Sequence, residues 1–310
     1  MEKSVTNQKL LIIGASGFVG TKLFSHFKKE KGFQVWGTYC SNAKNGLFKL
    51  DITDGLSVRM LIKTLKPDVI ILTAVYYKSI LSKLNKDRAI LIHILGTKNV
   101  VDVCKEINAK LIYISTPLVF DGNKKFYEEN DLVNPLFVYG QTKLEAEKLT
   151  QTLNTHLILR FNLIYGYNGS GFTNSLIGKL LGSDKLIVDA KHVRQPMFID
   201  DIAMVIKKLL YSNQNGIFHL AGPHLMTKYE LLLKLKESLL VDCEVIPDGT
   251  HISCYKNVTV STKKAEDLGI KFTTLNDALV QIEKEITCKR IKFINSKGNI
   301  NVGIYGSNFV

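Results

Sequence analysis

Cysteine, arginine, proline and long apolar runs are all scarce in this 310-residue chain. The five cysteines (Cys40, Cys104, Cys243, Cys254 and Cys288) are odd in number and widely spaced, with no C-x-x-C pair. That excludes a disulfide framework and a cysteine-based zinc site, and it points to a reducing, cytoplasmic setting. The seven histidines are equally scattered, so no metal site is expected. The six prolines stand singly and form no stiff linker. No apolar run approaches the ~20 residues that a membrane helix needs, so no membrane partner is expected. The opening residues MEKSVTNQ carry no apolar stretch behind their charge and do not read as a secretory signal.

Arginine is the informative scarcity. Forty-one basic residues against 28 acidic ones give a net charge of +13, which invites a nucleic-acid reading. Only Arg59, Arg88, Arg160, Arg194 and Arg290 are arginines, and the remaining 36 basic residues are lysines spread along the chain. A base-reading surface leans on the planar arginine fork, so nucleic acid is not the expected partner. Diffuse lysine suits a small anionic substrate instead. Hydrophobic residues at 45% and charged residues at 22% are ordinary for a folded core and argue against disorder.

What is present is an alternation of strand-like and helix-like segments. Lys9–Ile13 reads as a strand, Gly20–Lys31 as a helix with Leu23, Phe24 and Phe27 on one face, and Gln34–Tyr39 as the next strand. Phe48–Leu50 leads to Asp51 and a helix ending at Leu65. A strand over Val69–Ala74, a helix over about Ala89–Ile107 and a strand over Lys110–Ser115 come next. This succession predicts an α/β fold with a doubly wound parallel sheet covered by helices on both faces. Residues 1–166 are expected to form the dinucleotide-binding Rossmann part, with a returning segment at about 195–222 that includes a strand over Gly216–Ala221. A smaller substrate-binding part over 167–290 would be built from excursions out of the sheet, with helices over Phe172–Leu181, Asp200–Tyr211 and Lys228–Leu240. The tail 291–310 has weak strand character and stays unassigned.

Four stretches carry chemistry. Gly14-Ala15-Ser16-Gly17-Phe18-Val19-Gly20 joins the first strand to the first helix with the spacing G-x-x-G-x-x-G. Glycine there allows a tight turn and lets the backbone approach a pyrophosphate, which the helix amino-terminal N–H groups favour. At the end of the second strand, Thr38-Tyr39-Cys40-Ser41-Asn42 with Lys44 offers hydroxyls and a cation where an NAD enzyme places a carboxylate. NADP is therefore the expected cofactor, with NAD as the alternative. Tyr139-Gly140-Gln141-Thr142-Lys143 places a phenol and an ammonium four residues apart on one helix face, with Asn134-Pro135 as the expected cap and first helical residue. A nearby ammonium brings a phenol from its usual pKa near ~10 toward the working range. Ile114-Ser115-Thr116 supplies hydroxyls at the end of a parallel strand, where doubly wound folds bind ligands.

Together these stretches resemble the extended short-chain dehydrogenase/reductase family, over roughly residues 9–285. Within it the chain is most similar to the dTDP-4-dehydrorhamnose reductase group, through Gly14–Gly20, Leu50-Asp51-Ile52, Pro67–Ile70, Ser115–Gly122 (STPLVFDG), Pro135–Glu147 (PLFVYGQTKLEAE) and Leu159–Gly166 (LRFNLIYG). The resemblance implies that Thr116 bonds a substrate carbonyl, that Tyr139 donates the proton to it and that Lys143 holds the nicotinamide ribose. It further implies that Gly14, Ser16, Gly17, Phe18 and Val19 meet the pyrophosphate side of NADP(H), and Asp51 and Ile52 the adenine. Thr38 joins that set at the end of the second strand, and Thr73, Ala74 and Val75 at the ribose-linked portion. Tyr76, Asn162 and Arg194 would contact a nucleotide-linked 4-keto-6-deoxy sugar, reduced at carbon 4, and a homodimer would be in keeping with the family. The dull reading of Arg194 is an ion pair with Asp200 or Asp201.

Three positions depart from the group. Pro117 and Leu118 stand where it reads Asp and Tyr in S-T-D-Y-V-F-D-G, and His93 stands where its helix carries asparagine. Dehydratases of the superfamily add an acidic residue beside the catalytic hydroxyl, so Pro117 argues against dehydration; an epimerase on the same scaffold is the nearer enzymatic alternative. Gly216–His219 (GIFH), Met226–Glu230 (MTKYE) and Ser261–Gly269 also resemble the regulatory β subunit of methionine adenosyltransferase, a cofactor-binding partner rather than a sugar reductase.

Overall fold

The computed structural model describes residues 7–76, 86–167, 176–249 and 257–297, with side chains in the last helix up to residue 287. Its centre is a seven-stranded parallel sheet. The strands are β1 (Gln8–Ile13), β2 (Phe33–Tyr39), β3 (Phe48–Lys49), β4 (Val69–Leu72), β5 (Lys110–Ser115), β6 (His156–Phe161) and, after a long excursion, β10 (Gly216–Leu220). Their order across the sheet is β10-β6-β5-β4-β1-β2-β3. The order reverses between β1 and β4, which pair in parallel from Leu10 opposite Val69 to Ile13 opposite Leu72. After these two strands the chain moves to opposite sides of the sheet, and it is beyond the carboxyl ends at such a reversal that doubly wound sheets take ligands.

The strands are near-continuous apolar runs because both faces are covered. Leu10 and Ile12 of β1 join one core cluster, while Leu11 and Ile13 join the other. The first face is covered by α1 (Phe18–Phe27) and α7 (Ile199–Tyr211), and the second by α2 (Gly55–Leu65), α4 (Gly96–Ile107) and α5 (Val138–Gln151). The first cluster runs on without a break into α8 (Lys228–Leu239), through Leu231, Leu232 and Leu235. Beside α8 and α6 (Leu176–Leu181) lies a two-stranded parallel sheet of β8 (Lys185–Asp189) and β11 (Glu244–Asp248). A second pair, β7 (Ile164–Tyr165) with β9 (Met197–Phe198), links the end of β6 to the returning chain. The short α9 (Lys263–Glu266) closes against β10, with the Lys264 ammonium 4.2 Å over the Phe218 ring.

Three expectations are corrected. The helix bearing Tyr139 begins at Val138, with extended Phe137 as its cap, not at Asn134-Pro135. Asn134 is occupied elsewhere: its N–H donates to the Val119 carbonyl at 2.9 Å and its amide to Asp121 at 3.2 Å. The segment expected as one helix from Ala89 is an α-helix α3 (Lys86–Ile90), a π-helical turn (Leu91–Leu95) and α4 in succession. Residues 291–297 are helical, the end of α10 (Leu275–Lys297), and not strand-like. Residues 298–310 lie outside the described part, as does 172–175 of the helix expected at Phe172–Leu181.

Candidate active site

The glycine loop sits at the reversal of strand order. Gly14 has φ +88°, and a Cβ there would come within 2.7 Å of the Thr73 hydroxyl. At Gly20 a Cβ would lie 2.2 Å from the Gly14 carbonyl oxygen, so the first turn of α1 packs directly on the loop. Two threonines clamp it: the Gly14 N–H donates to Thr38 Oγ1 at 3.2 Å, and the Thr73 hydroxyl lies 2.9 and 3.1 Å from the Ile13 and Gly14 carbonyls. Gly17 caps α1 without a side-chain bond and no acidic residue stands in its first turn, leaving the amino-terminal N–H groups suited to an anion. Ser16, Phe18 and Val19 complete this turn. Lys44, half-buried, reaches across to Thr21 Oγ1 at 2.9 Å, and Thr21 in turn donates to the Ala15 carbonyl.

The flanking residues divide. Asp51 is exposed and accepts from the backbone and hydroxyl of Thr53. Ile52 is buried and packs so closely on Gly96 that a Cβ there would meet its side chain at 2.5 Å. After β4 the chain runs through Thr73 and Ala74 to Val75, which is exposed, and to Tyr76, whose ring lies under the Arg88 guanidinium at 5.4 Å.

At the end of β5, buried Thr116 caps the short turn Pro117–Val119 by accepting from the Leu118 N–H at 3.2 Å. Helix α5 lies against that turn backbone to backbone, since a Cβ on Gly140 would be 2.2 Å from the Leu118 carbonyl oxygen. Glycine beside Tyr139 is thus a packing requirement. Tyr139 and Lys143 are both buried on the inner face of α5. The Lys143 ammonium donates to the Ile114 carbonyl at 2.5 Å and sits 3.9 Å above the Tyr113 ring. Burial pulls its pKa down to about 7, against the opposing pull of Glu147. One turn further along, Glu147 accepts from the Ser115 hydroxyl and holds Arg160 in a two-pronged ion pair, at 3.1 and 2.7 Å, with both partners almost fully buried.

The structure therefore brings Thr116, Tyr139 and Lys143 together at the carboxyl end of β5. Asn162 stands at the end of the neighbouring β6, where Ser115 is opposite Arg160, and its amide donates to the Val258 carbonyl at 3.0 Å. Arg194 is held further out by backbone bonds to Met226 and by its guanidinium on the Val193 carbonyl. Asp200 and Asp201 are engaged elsewhere, on Lys22 and on Thr273. Sequence reasoning passes over Glu147 and Tyr113. Glu147 carries a usable signal, because it lies four residues beyond Lys143 on the same helix face.

A family model for the RmlD substrate binding domain matches residues 8–258. The chain belongs to this family. Its relatives there include two kinds of protein. Methionine adenosyltransferase 2 subunit beta of Xenopus tropicalis is 30% identical over 246 residues, which is 76% of this chain and 73% of that one. The dTDP-4-dehydrorhamnose reductase of Aggregatibacter actinomycetemcomitans is 29% identical over 235 residues, 73% of this chain and 78% of that one. The fold matches dTDP-4-dehydrorhamnose reductase from Bacillus anthracis str. Ames, solved in complex with NADP, with a TM-score of 0.79 at 22% identity, covering 90% of this chain and 100% of that one. No group of residues suited to hold a metal ion and no helix long and apolar enough to cross a membrane occurs among the described residues.

Proposed function

We propose that this chain is an NADP(H)-dependent reductase of a nucleotide-linked 4-keto-6-deoxy sugar. The observation that carries the proposal is the placing of Tyr139 and Lys143 on one buried face of α5, with the Lys143 ammonium fixed to the carbonyl just before Ser115-Thr116. The glycine loop fits a dinucleotide: it leaves no room for side chains at Gly14 and Gly20, and the start of α1 above it is free of acidic groups. A reduced nicotinamide dinucleotide, when bound, supplies the hydride for carbon 4.

The chain's own groups do the rest. Thr116 offers its hydroxyl to the carbonyl oxygen, and Tyr139 gives that oxygen its proton. Lys143, as an ammonium, favours the phenolate that Tyr139 leaves behind and holds the ribose nearest the ring. Tyr76, Asn162 and Arg194 surround the sugar diphosphate, Arg194 pairing with phosphate. Lys44, beside the end of β2, favours the 2′-phosphate of NADP over NAD. Replacing Tyr139 with Phe leaves NADPH binding within about twofold and lowers keto-sugar reduction at least about a hundredfold. Undiminished turnover in that variant would remove Tyr139 from the mechanism.

A second reading is favoured by the 30% identity to a methionine adenosyltransferase subunit. In it the chain binds the dinucleotide and pairs with a methionine adenosyltransferase catalytic chain without reducing a sugar. Co-elution with such a catalytic chain, with no keto-sugar turnover, would select it.

A further inference from the structure

We infer that His93 is a positioning residue, fixing the segment after β4 against the first turn of α5 through a one-directional chain of hydrogen bonds. The inference deepens the reductase reading and rests on it, since it gives Tyr139 its set place.

The segment carrying His93 is unusual before any contact is considered. Between α3 and α4 the helix widens into the π turn Leu91–Leu95, and His93 is its middle residue. Such a turn accommodates one extra residue, shifts the register of the helix beyond it and is found mostly at functional sites. Here it leaves Leu91 and Leu95 partly in solvent while His93 is 1% exposed. A sequence gains nothing in propensity by placing a buried imidazole in this position. Its contacts supply the reason.

Both ring nitrogens are engaged, and the direction of each bond is forced. The Tyr76 backbone N–H can only donate, so Nε2, at 2.9 Å, accepts. A neutral imidazole then carries its proton on Nδ1, which donates to Thr142 Oγ1 at 2.8 Å. The Thr142 hydroxyl keeps its own proton for the Tyr139 carbonyl at 3.0 Å. Burial and the Lys143 ammonium hold His93 down to about 3, so this neutral form persists across the working range. The imidazole also meets the Tyr139 ring edge-on, with centroids 5.6 Å apart. Each donor in this relay has one acceptor, and all of them run the same way.

The two ends of the relay give it meaning. At one end is the backbone of Tyr76, three residues past the Thr73 clamp on the glycine loop. At the other is the turn of α5 that carries Tyr139, Thr142 and Lys143. His93 touches both, and it sets the distance between the segment expected to face the substrate and the proton donor. His93 is both the middle residue of the π turn and the side chain that reaches from Tyr76 to Thr142, so the turn and the residue belong together as one device.

Four variants test it: His93→Phe, which keeps a ring and removes both bonds; His93→Asn, which retains a donor and an acceptor; Thr142→Val, which removes the middle hydroxyl at constant shape; and the double variant of His93→Phe with Thr142→Val. The readouts are amide exchange over the peptide that holds residues 73–76, NADPH affinity, and kcat and KM for keto-sugar reduction. His93→Phe is expected to speed exchange at Tyr76 about tenfold and to lower kcat about tenfold with KM within about threefold, one lost hydrogen bond being worth ~1–1.5 kcal/mol. Thr142→Val is expected to lower kcat similarly without loosening Tyr76, the double variant to be no worse than His93→Phe alone, and His93→Asn to recover part of the loss. Parent-like kcat and parent-like Tyr76 exchange in His93→Phe, or additive losses in the double variant, overturn the inference. If the parent protein itself reduces no keto sugar, the reductase reading fails separately, and exchange at Tyr76 alone decides on His93. Should His93→Phe not fold, the Asn and Val variants carry the same comparisons.

Discussion

Keeping the Lys143 ammonium out of water works against folding. Its pKa of about 7, below the usual lysine range, stands there despite the opposing pull of Glu147. On balance, then, the folded chain disfavours the charge. A lysine whose folded pKa is lowered weakens the protein fully below that pKa, and the deficit fades as pH rises from about 7 towards the unfolded value. Lys143→Met is therefore expected to melt several degrees above the parent at pH 6, with the advantage shrinking between pH 7 and 10; a constant difference across that range would contradict the assignment. A cost retained at one lysine is what a functional position looks like. Lys44 makes the complementary residue-scale case, leaning on the neutral hydroxyl of Thr21 at the mouth of the glycine loop. Lys44→Ala is expected to weaken NADPH about tenfold, the worth of one charge-assisted bond, and NADH by less than about twofold. Equal losses in a fluorescence titration would remove Lys44 from cofactor choice.

At the scale of elements, α5 does most of the organising. Four side chains of its inner face, Tyr139, Thr142, Lys143 and Glu147, meet β5, the π turn and β6 in turn. Glu147 and Arg160 form a buried pair whose removal on one side strands the other charge, at a cost of about 3–5 kcal/mol. Glu147→Gln is thus expected to lower the urea midpoint sharply, while Glu147→Leu with Arg160→Met recovers much of the loss; an unchanged midpoint in the single variant would show that the pair is not needed. The tyrosine–lysine spacing is legible in the sequence because it is local and periodic. The start of α5 is not, because Asn134 looks like a cap until the chain folds and Val119 and Asp121 claim it. The π turn is not legible either. Leu91–Leu95 reads as ordinary apolar helix, and the partners of His93 lie far off in sequence, 17 residues back and 49 residues ahead.

Across the whole molecule, the alternation of strands and helices and the glycine loop are enough to give a doubly wound parallel sheet, and they place the loop where the strand order reverses. The surroundings of Asn162 and Arg194 are harder to read, since each depends on a contact with a distant segment, Val258 and Met226. The fold alone does not separate a sugar reductase from a dinucleotide-binding subunit, because one scaffold can carry both functions. Turnover at the site separates them. The most direct test follows reduced-nicotinamide absorbance when a dTDP-4-keto-6-deoxy-hexose is added, with NADPH and NADH in parallel. Rapid oxidation is predicted, faster with NADPH. Tight NADPH binding with no oxidation by any such sugar would contradict the reductase reading.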